Sequence, residues 1–274
     1  MPTRFIHTSG GNIAYDDQGE GPLVVCVPSM GDLRSEYRFL LPLLTSAGFR
    51  AVSMDVRGHG ETSTSWPDYS VAAIGQDILA LIESLKAGPA TLIGTSMAAG
   101  ASIWASVEAP DQISGMVLIG PFVHGKGDPW LKFLFSLAFA RPWGPSLWAK
   151  YYARLYPTRP PHDLPEYIAT LRDNLRQPGR MEALQKMMAA DKTASGERLN
   201  KARVPAFILM GSLDPDFKDP EGQARWVAEQ VRGSYQMVNG AGHYPHAEMP
   251  RETFERILPF LQQLENQPVE THAS

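Results

Sequence analysis

Three residues whose types can do nucleophilic chemistry recur in similar settings: Ser96 in Gly94-Thr95-Ser96-Met97-Ala98, Asp214 in Gly211-Ser212-Leu213-Asp214, and His243 in Gly240-Ala241-Gly242-His243. A serine hydroxyl is a weak nucleophile at neutral pH. It needs a base to take its proton, a group to orient that base, and donors for the oxyanion that develops on the substrate. Ser96 follows a short apolar stretch and precedes a segment of small residues, the setting of a strained strand-to-helix elbow that exposes a hydroxyl. Small residues at 94, 98 and 100 let the backbone, helix and neighbouring strand close in. A serine there also suits a plain helix N-cap. The order Ser, Asp, His favours chemistry, because each residue lies just beyond the C-terminal end of an expected strand, where open parallel sheets gather their functional groups. Asp216 competes with Asp214 as the acid, and His246, expected at the start of the last helix, competes with His243 as the base.

The elements that must position these residues are legible from periodicity. Residues 5–8 and 12–15 read as a hairpin about Ser9-Gly10-Gly11, and 23–27 as an apolar strand. A helix is expected near 35–47 and a strand over 50–56, followed by a polar loop over 57–67. Val71, Ile74, Ile78, Ile82 and Leu85 mark one helix face, with Lys86 and Gly88 as its stop. A strand over 90–94 feeds Ser96, a helix ends before Pro110, and a strand covers 114–119. The alternation resumes with strands over 204–210 and 235–238 and helices over 223–231 and through Phe254, Ile257, Leu258 and Leu261. Apolar strands alternating with amphipathic helices predict an α/β fold with a mostly parallel sheet covered by helices on both faces.

About eighty residues interrupt that alternation. Residues 121–200 carry a helical pattern broken by prolines, 11 of the chain's 26 aromatic residues, and 12 basic against 7 acidic side chains. A helical lid is expected there. The core is then residues 1–120 and 201–265, with a polar, frayed tail over 266–274. Most lid aromatics are expected to glue short helices to the core; the surplus of positive charge could dock the lid or draw in an anionic substrate, although solvated helix faces account for most of it.

Composition narrows the class. The 274 residues are 43% hydrophobic and 20% charged, with 25 basic and 29 acidic side chains and a formal net charge of −4. A core of ordinary size is affordable, and no cationic field exists to hold nucleic acid. The single cysteine, Cys26, sits in the apolar run 23–27 and reads as a buried core thiol. The longest apolar segment, 131–140, contains Lys132 and is about half the length of a bilayer span. No membrane association is expected, and the absence of a secretory leader points to the cytoplasm. A small-molecule substrate is the expected partner, with homodimerisation left open.

Together these motifs resemble the α/β-hydrolase superfamily, specifically its members with a helical cap inserted after the sixth strand. Asp55-Val56-Arg57-Gly58-His59-Gly60-Glu61-Thr62 is similar to that family's Asp-x-Arg-Gly-x-Gly-x-Ser loop, in which Asp55 and Arg57 are expected to brace the backbone and His59 to be structural. The resemblance implies that the backbone N–H groups of Met30 and Met97 form the oxyanion hole. Two departures stand out: Pro28-Ser29-Met30-Gly31 where the family usually has His-Gly, and Ala98 where glycine is commoner. Serine rather than aspartate at position 96 sets aside dehalogenase and epoxide hydrolase chemistry.

These readings imply a serine hydrolase working through an acyl-enzyme, with no metal or cofactor required. Met30 and Met97 at the centre and Trp130, Phe133, Phe135 and Phe139 in the lid suit an apolar acyl or aryl group, so a carboxylesterase acting on small to medium esters is the leading expectation. Core packing is the competing account of each of these side chains. Relatives with the same triad include carbon-carbon bond hydrolases, lactonases, proline aminopeptidases and cofactor-free perhydrolases or peroxidases. A non-enzymatic receptor of the same fold is the remaining alternative.

Overall fold

The computed structural model describes residues 2–123, 139–140, 142–190 and 193–266. The sheet is built from β1 (Arg4–Thr8), β2 (Gly11–Gln18), β3 (Leu23–Val27), β4 (Arg50–Met54), β5 (Ala90–Thr95), β6 (Ile113–Ile119), β7 (Ala206–Gly211) and β8 (Ser234–Val238). Their spatial order is β1-β2-β4-β3-β5-β6-β7-β8. The pairs β1–β2 and β2–β4 are antiparallel and every other pair is parallel. β3, β5 and β7 are buried at every residue, as continuous apolar runs between two helical layers require.

The chain winds from β3 outward to β4, then crosses back to place β5 on the other side of β3 and continues to β6, β7 and β8. Reversal of winding between β3 and β5 leaves a crevice at their C-terminal ends, the usual place for a ligand in an open α/β sheet. Met30 follows β3 and Ser96 follows β5, so the topology alone brings both to that crevice.

Helices α1 (Leu41–Ser46), α2 (Val71–Leu85), α3 (Met97–Glu108), α8 (Pro220–Val231) and α10 (Pro250–Glu265) flank the sheet. α2 opens on an N-cap in which the Ser70 hydroxyl accepts from the Ala73 N–H, and it ends on Lys86 in the left-handed conformation. The single helix expected over 35–47 is instead a 3-10 turn, Arg34–Tyr37, followed by α1. Pro42 explains the break: it has no N–H to donate and its ring would strike the carbonyl four residues earlier, so it is accommodated in the first turn of a new helix.

Between β6 and β7 the described residues form helices α4 (Gly144–Ala153), α5 (Leu164–Arg176), α6 (Arg180–Ala189) and the single turn α7 (Thr193–Gly196). A separate apolar cluster joins these helices to the core; it includes Leu33, Trp148, Tyr152, Leu171 and Tyr244. Trp130, Phe133 and Phe135 lie outside the described residues, as does the tail beyond Asn266. Phe139 is buried, its ring edge-on to Trp148. Among the described residues no helix is long and apolar enough to cross a membrane. Cys26 is fully buried in β3, and burial together with the nearby Glu36 charge pushes its thiol pKa upward.

Candidate active site

Ser96 joins β5 to α3 with φ 58 and ψ −117, a conformation that L-residues rarely adopt and that typically costs about 1–3 kcal/mol. Surrounding bonds hold it there. The Ser96 N–H donates to the Ile119 carbonyl at 2.8 Å, and the Ser96 carbonyl accepts from the Phe122 N–H at 3.2 Å. Gly94 makes the turn sterically feasible, since a Cβ there would stand 2.6 Å from the Ser102 hydroxyl and 2.7 Å from the Ala98 carbonyl oxygen.

The two bonds from Ser96 bracket Gly120, and Gly120 in turn faces the His243 ring. A Cβ on Gly120 would lie 3.1 Å from both Nδ1 and Cε1 of that ring. Serine and imidazole therefore meet the same four-residue stretch, 119–122. His243 Nδ1 is 2.7 Å from Asp214 Oδ2, and both side chains are almost wholly buried. Burial alone disfavours the imidazolium, but the charge and hydrogen bond of Asp214, joined by the charge of Asp216, raise the His243 pKa to about 9.

Asp216 lies on the other side of the ring. Its Oδ2 is 3.8 Å from His243 Nε2, its backbone N–H donates to Asp214 Oδ1 at 3.0 Å, and its Oδ1 accepts from the Tyr151 hydroxyl of α4 at 2.5 Å. By atom spacing, one trio among the described residues could hold a metal ion: Asp214, Asp216 and His243, with ligand atoms within 4.8 Å of one another. Nδ1 is already engaged with Asp214, so such an ion would have to use Nε2 and Asp216.

His246 is elsewhere. It sits in the short helix α9 (Pro245–Glu248), fully buried, stacked on Tyr37 at 4.8 Å, with Nε2 3.1 Å from Glu36 Oε1. Burial lowers its pKa to about 3. His59 is likewise buried, with a pKa lowered to about 4 by burial, and its Nδ1 approaches the Arg57 carbonyl. Arg57 bonds both oxygens of Asp77, while Asp55 accepts from the backbone N–H groups of Arg34 and Glu61. Thr62 spans two segments, accepting from the Ala14 N–H and donating to the Asp55 carbonyl. These contacts brace the loop after β4.

The Pro28-Ser29-Met30-Gly31 arm is held by groups that sequence reasoning missed. The Ser29 N–H donates to Glu36 Oε2 at 2.7 Å, the Ser29 hydroxyl meets the Tyr244 hydroxyl at 2.5 Å, and Trp148 donates to the Gly31 carbonyl at 3.0 Å. Met30 between them has an N–H with no acceptor among the described residues. Met97 is the first residue of α3, so its N–H has no intrahelical acceptor either. Both main-chain donors that the resemblance implies are thus at the β3–β5 crevice and uncommitted.

Beneath the arm lies a buried polar hub. Asp32 accepts from the Tyr152 and Tyr167 hydroxyls at 2.7 and 2.5 Å and from the Leu33 N–H at 2.8 Å. Burial and the neighbouring Glu36 charge raise its pKa to about 8, and burial raises that of Glu36 to about 6. The available signal was the pair of acids at i and i+4 directly after the arm, since a carboxylate that becomes buried needs partners. The hydroxyl partners of Asp32 lie more than a hundred residues away, in helices between β6 and β7, which local spacing cannot reveal.

Comparison with known proteins agrees with this architecture. Residues 22–250 match the alpha/beta hydrolase fold family, and the chain belongs to it. Over 109 residues the chain is 35% identical to BpoC of Mycobacterium tuberculosis, whose name assigns it provisionally as a non-heme bromoperoxidase; the match spans 39% of this chain and only 41% of that relative. It is 24% identical to 3-oxoadipate enol-lactonase 2 of Acinetobacter baylyi over 88% of each chain. The crystal structure of a bromoperoxidase from Bacillus anthracis shares the fold with a TM-score of 0.82 at 21% identity, over 95% of this chain and 100% of that one.

Proposed function

We propose that the chain is a serine hydrolase acting mainly on carboxylic esters of small to medium size with an apolar acyl or aryl group. The observation that carries this reading is the buried 2.7 Å contact between His243 Nδ1 and Asp214 Oδ2, set against the same 119–122 stretch as the strained Ser96. Ser96 Oγ attacks the ester carbonyl while His243 Nε2 takes its proton, and the N–H groups of Met30 and Met97 hold the oxyanion. Collapse breaks the carbon–oxygen bond, and His243 returns the proton to the departing alcohol. Water then attacks the acyl carbon by the same route, releasing the acid and restoring Ser96. Asp214 holds the ring in the tautomer that leaves Nε2 free to accept.

A cyclic ester is the second substrate class, supported by the match to an enol-lactonase over most of both chains. It needs no change of mechanism, because the departing alcohol merely stays tethered to the acyl group. Labelling with a fluorophosphonate probe tests the nucleophile: wild type should label and Ser96→Ala should not. Aryl esters of increasing acyl length, beside simple lactones, then test the substrate class. Labelling that persists in Ser96→Ala removes Ser96 as the nucleophile, and labelling without turnover of any ester or lactone moves the assignment to another chemistry.

A further inference from the structure

Asp216 is not needed to orient His243, since Asp214 already occupies Nδ1. Its position is nevertheless specific. The Asp216 backbone N–H anchors the residue to Asp214 and the Tyr151 hydroxyl holds its Oδ1, leaving Oδ2 3.8 Å from Nε2, the ring nitrogen that must hand a proton to the departing group. The side chain is 21% exposed, and no lysine or arginine among the described residues pairs with it. A carboxylate oxygen is therefore turned toward the space that a leaving group occupies.

The walls beside it are aromatic. Phe217, the next residue, has its ring centroid 6.4 Å from that of His243 and 6.1 Å from that of Phe122. Phe122, Phe217 and Tyr151 are all half-buried. Aromatic faces around one fixed carboxylate are the chemistry that recognises an alkylammonium group, whose charge is diffuse and whose methyl groups need apolar contact. When His243 is neutral, as it is after handing its proton to the departing group, an anionic leaving group would meet Oδ2 at close range with no charge on the ring to offset it.

We propose that Asp216, with the rings of Phe122 and Phe217, forms a leaving-group subsite that selects esters of amino alcohols carrying a quaternary or tertiary ammonium. The inference rests on the serine-hydrolase reading and narrows its substrate class. It places negative charge at the reacting atoms, opposite to what the lid's net positive charge suggested for an anionic substrate.

The test compares two butyrate esters of matched shape, 2-(trimethylammonio)ethyl and 3,3-dimethylbutyl, which differ in a charged nitrogen replaced by carbon. Within one enzyme the ratio of their kcat/KM values cancels any change in His243 itself. Wild type should favour the cation about five- to tenfold at low salt, and the ratio should approach one near molar salt, where the Debye length falls to about 3 Å. Asp216→Asn, which retains an acceptor for Tyr151, should bring the ratio to about one at all ionic strengths. A wild-type ratio near one, a ratio indifferent to salt, or one retained in Asp216→Asn overturns the subsite. Rates of covalent labelling by methylphosphonates bearing the same two leaving groups give a readout without turnover. Equal labelling by both overturns the subsite alone, whereas no labelling by either removes the nucleophile on which it depends.

Discussion

Asp214 and Asp216 are two residues apart, yet they face opposite nitrogens of one imidazole, and their consequences differ accordingly. Replacing Asp214 by Asn keeps the shape but takes away the acceptor charge on Nδ1, allowing the wrong tautomer; a loss of about 10³- to 10⁴-fold in ester kcat is expected, against a loss about a hundredfold smaller for Asp216→Asn. Equal losses would reassign the acid. The same Asp214 contact raises the His243 pKa to about 9, so kcat/KM of the wild type should climb with pH toward that value as the free base forms. Glu36 acts one step removed, through the Ser29 N–H it accepts. Glu36→Ala releases the arm that carries Met30 and should lower kcat by roughly ten- to a hundredfold with little change in KM, somewhat less than outright loss of an oxyanion donor. Glu36→Gln retains an acceptor and should recover most of the rate. A matching rise in KM, or no recovery with Gln, would show that Glu36 serves only the fold.

At the scale of elements, the turn from β5 into α3 concentrates the strain. Gly94→Ala places a methyl 2.7 Å from the Ala98 carbonyl oxygen, a backbone atom that cannot rotate aside. The elbow must open, so we expect about 1–3 kcal/mol of destabilisation and a fall in turnover per folded molecule well beyond what the lost stability accounts for. Thermal melts alongside ester assays on the folded fraction separate the two; lost stability with full turnover would show that the elbow tolerates the shift. This element was legible in sequence because its demands are local: an apolar run, a small residue before and after the serine, and a helix-like pattern. The hairpin of β1 and β2, the face of α2 and the strand-end loops of Asp214 and His243 were legible for the same reason. The break within 35–47 falls at Pro42, a local boundary signal that the expectation of a single helix passed over. The grip on the Pro28-Ser29-Met30 arm was not legible at all, since Glu36, Tyr244 and Trp148 reach it from three separate segments and only packing brings them together.

Across the whole molecule, the buried ionisable groups set how stability responds to pH. Asp32 keeps its proton to about pH 8 in the folded chain, against 3.8 for a free side chain, and His243 keeps its proton to about 9, against 6.5. Between pH 6.5 and 8 the folded chain thus holds two protons that the unfolded chain has largely released, and stability falls as pH rises, by at most about 1.4 kcal/mol per pH unit for each group. His59 and His246 act in the opposite sense. Their folded pKa values lie at about 4 and 3, so each is neutral in the fold and their contribution is lost only as pH falls below 6.5. Neither therefore adds to the fall in stability between pH 6.5 and 8. Asp32→Asn is uncharged at every pH and can still accept from Tyr152 and Tyr167. Thermal melts at pH 6.5 and 8 should show a clear fall in Tm for the wild type and about half that fall for Asp32→Asn, with the two proteins diverging most at pH 8. Equal slopes would mean that Asp32 is already ionised at neutral pH, with the carboxylate between core and cap held by its tyrosine hydroxyls as a charge.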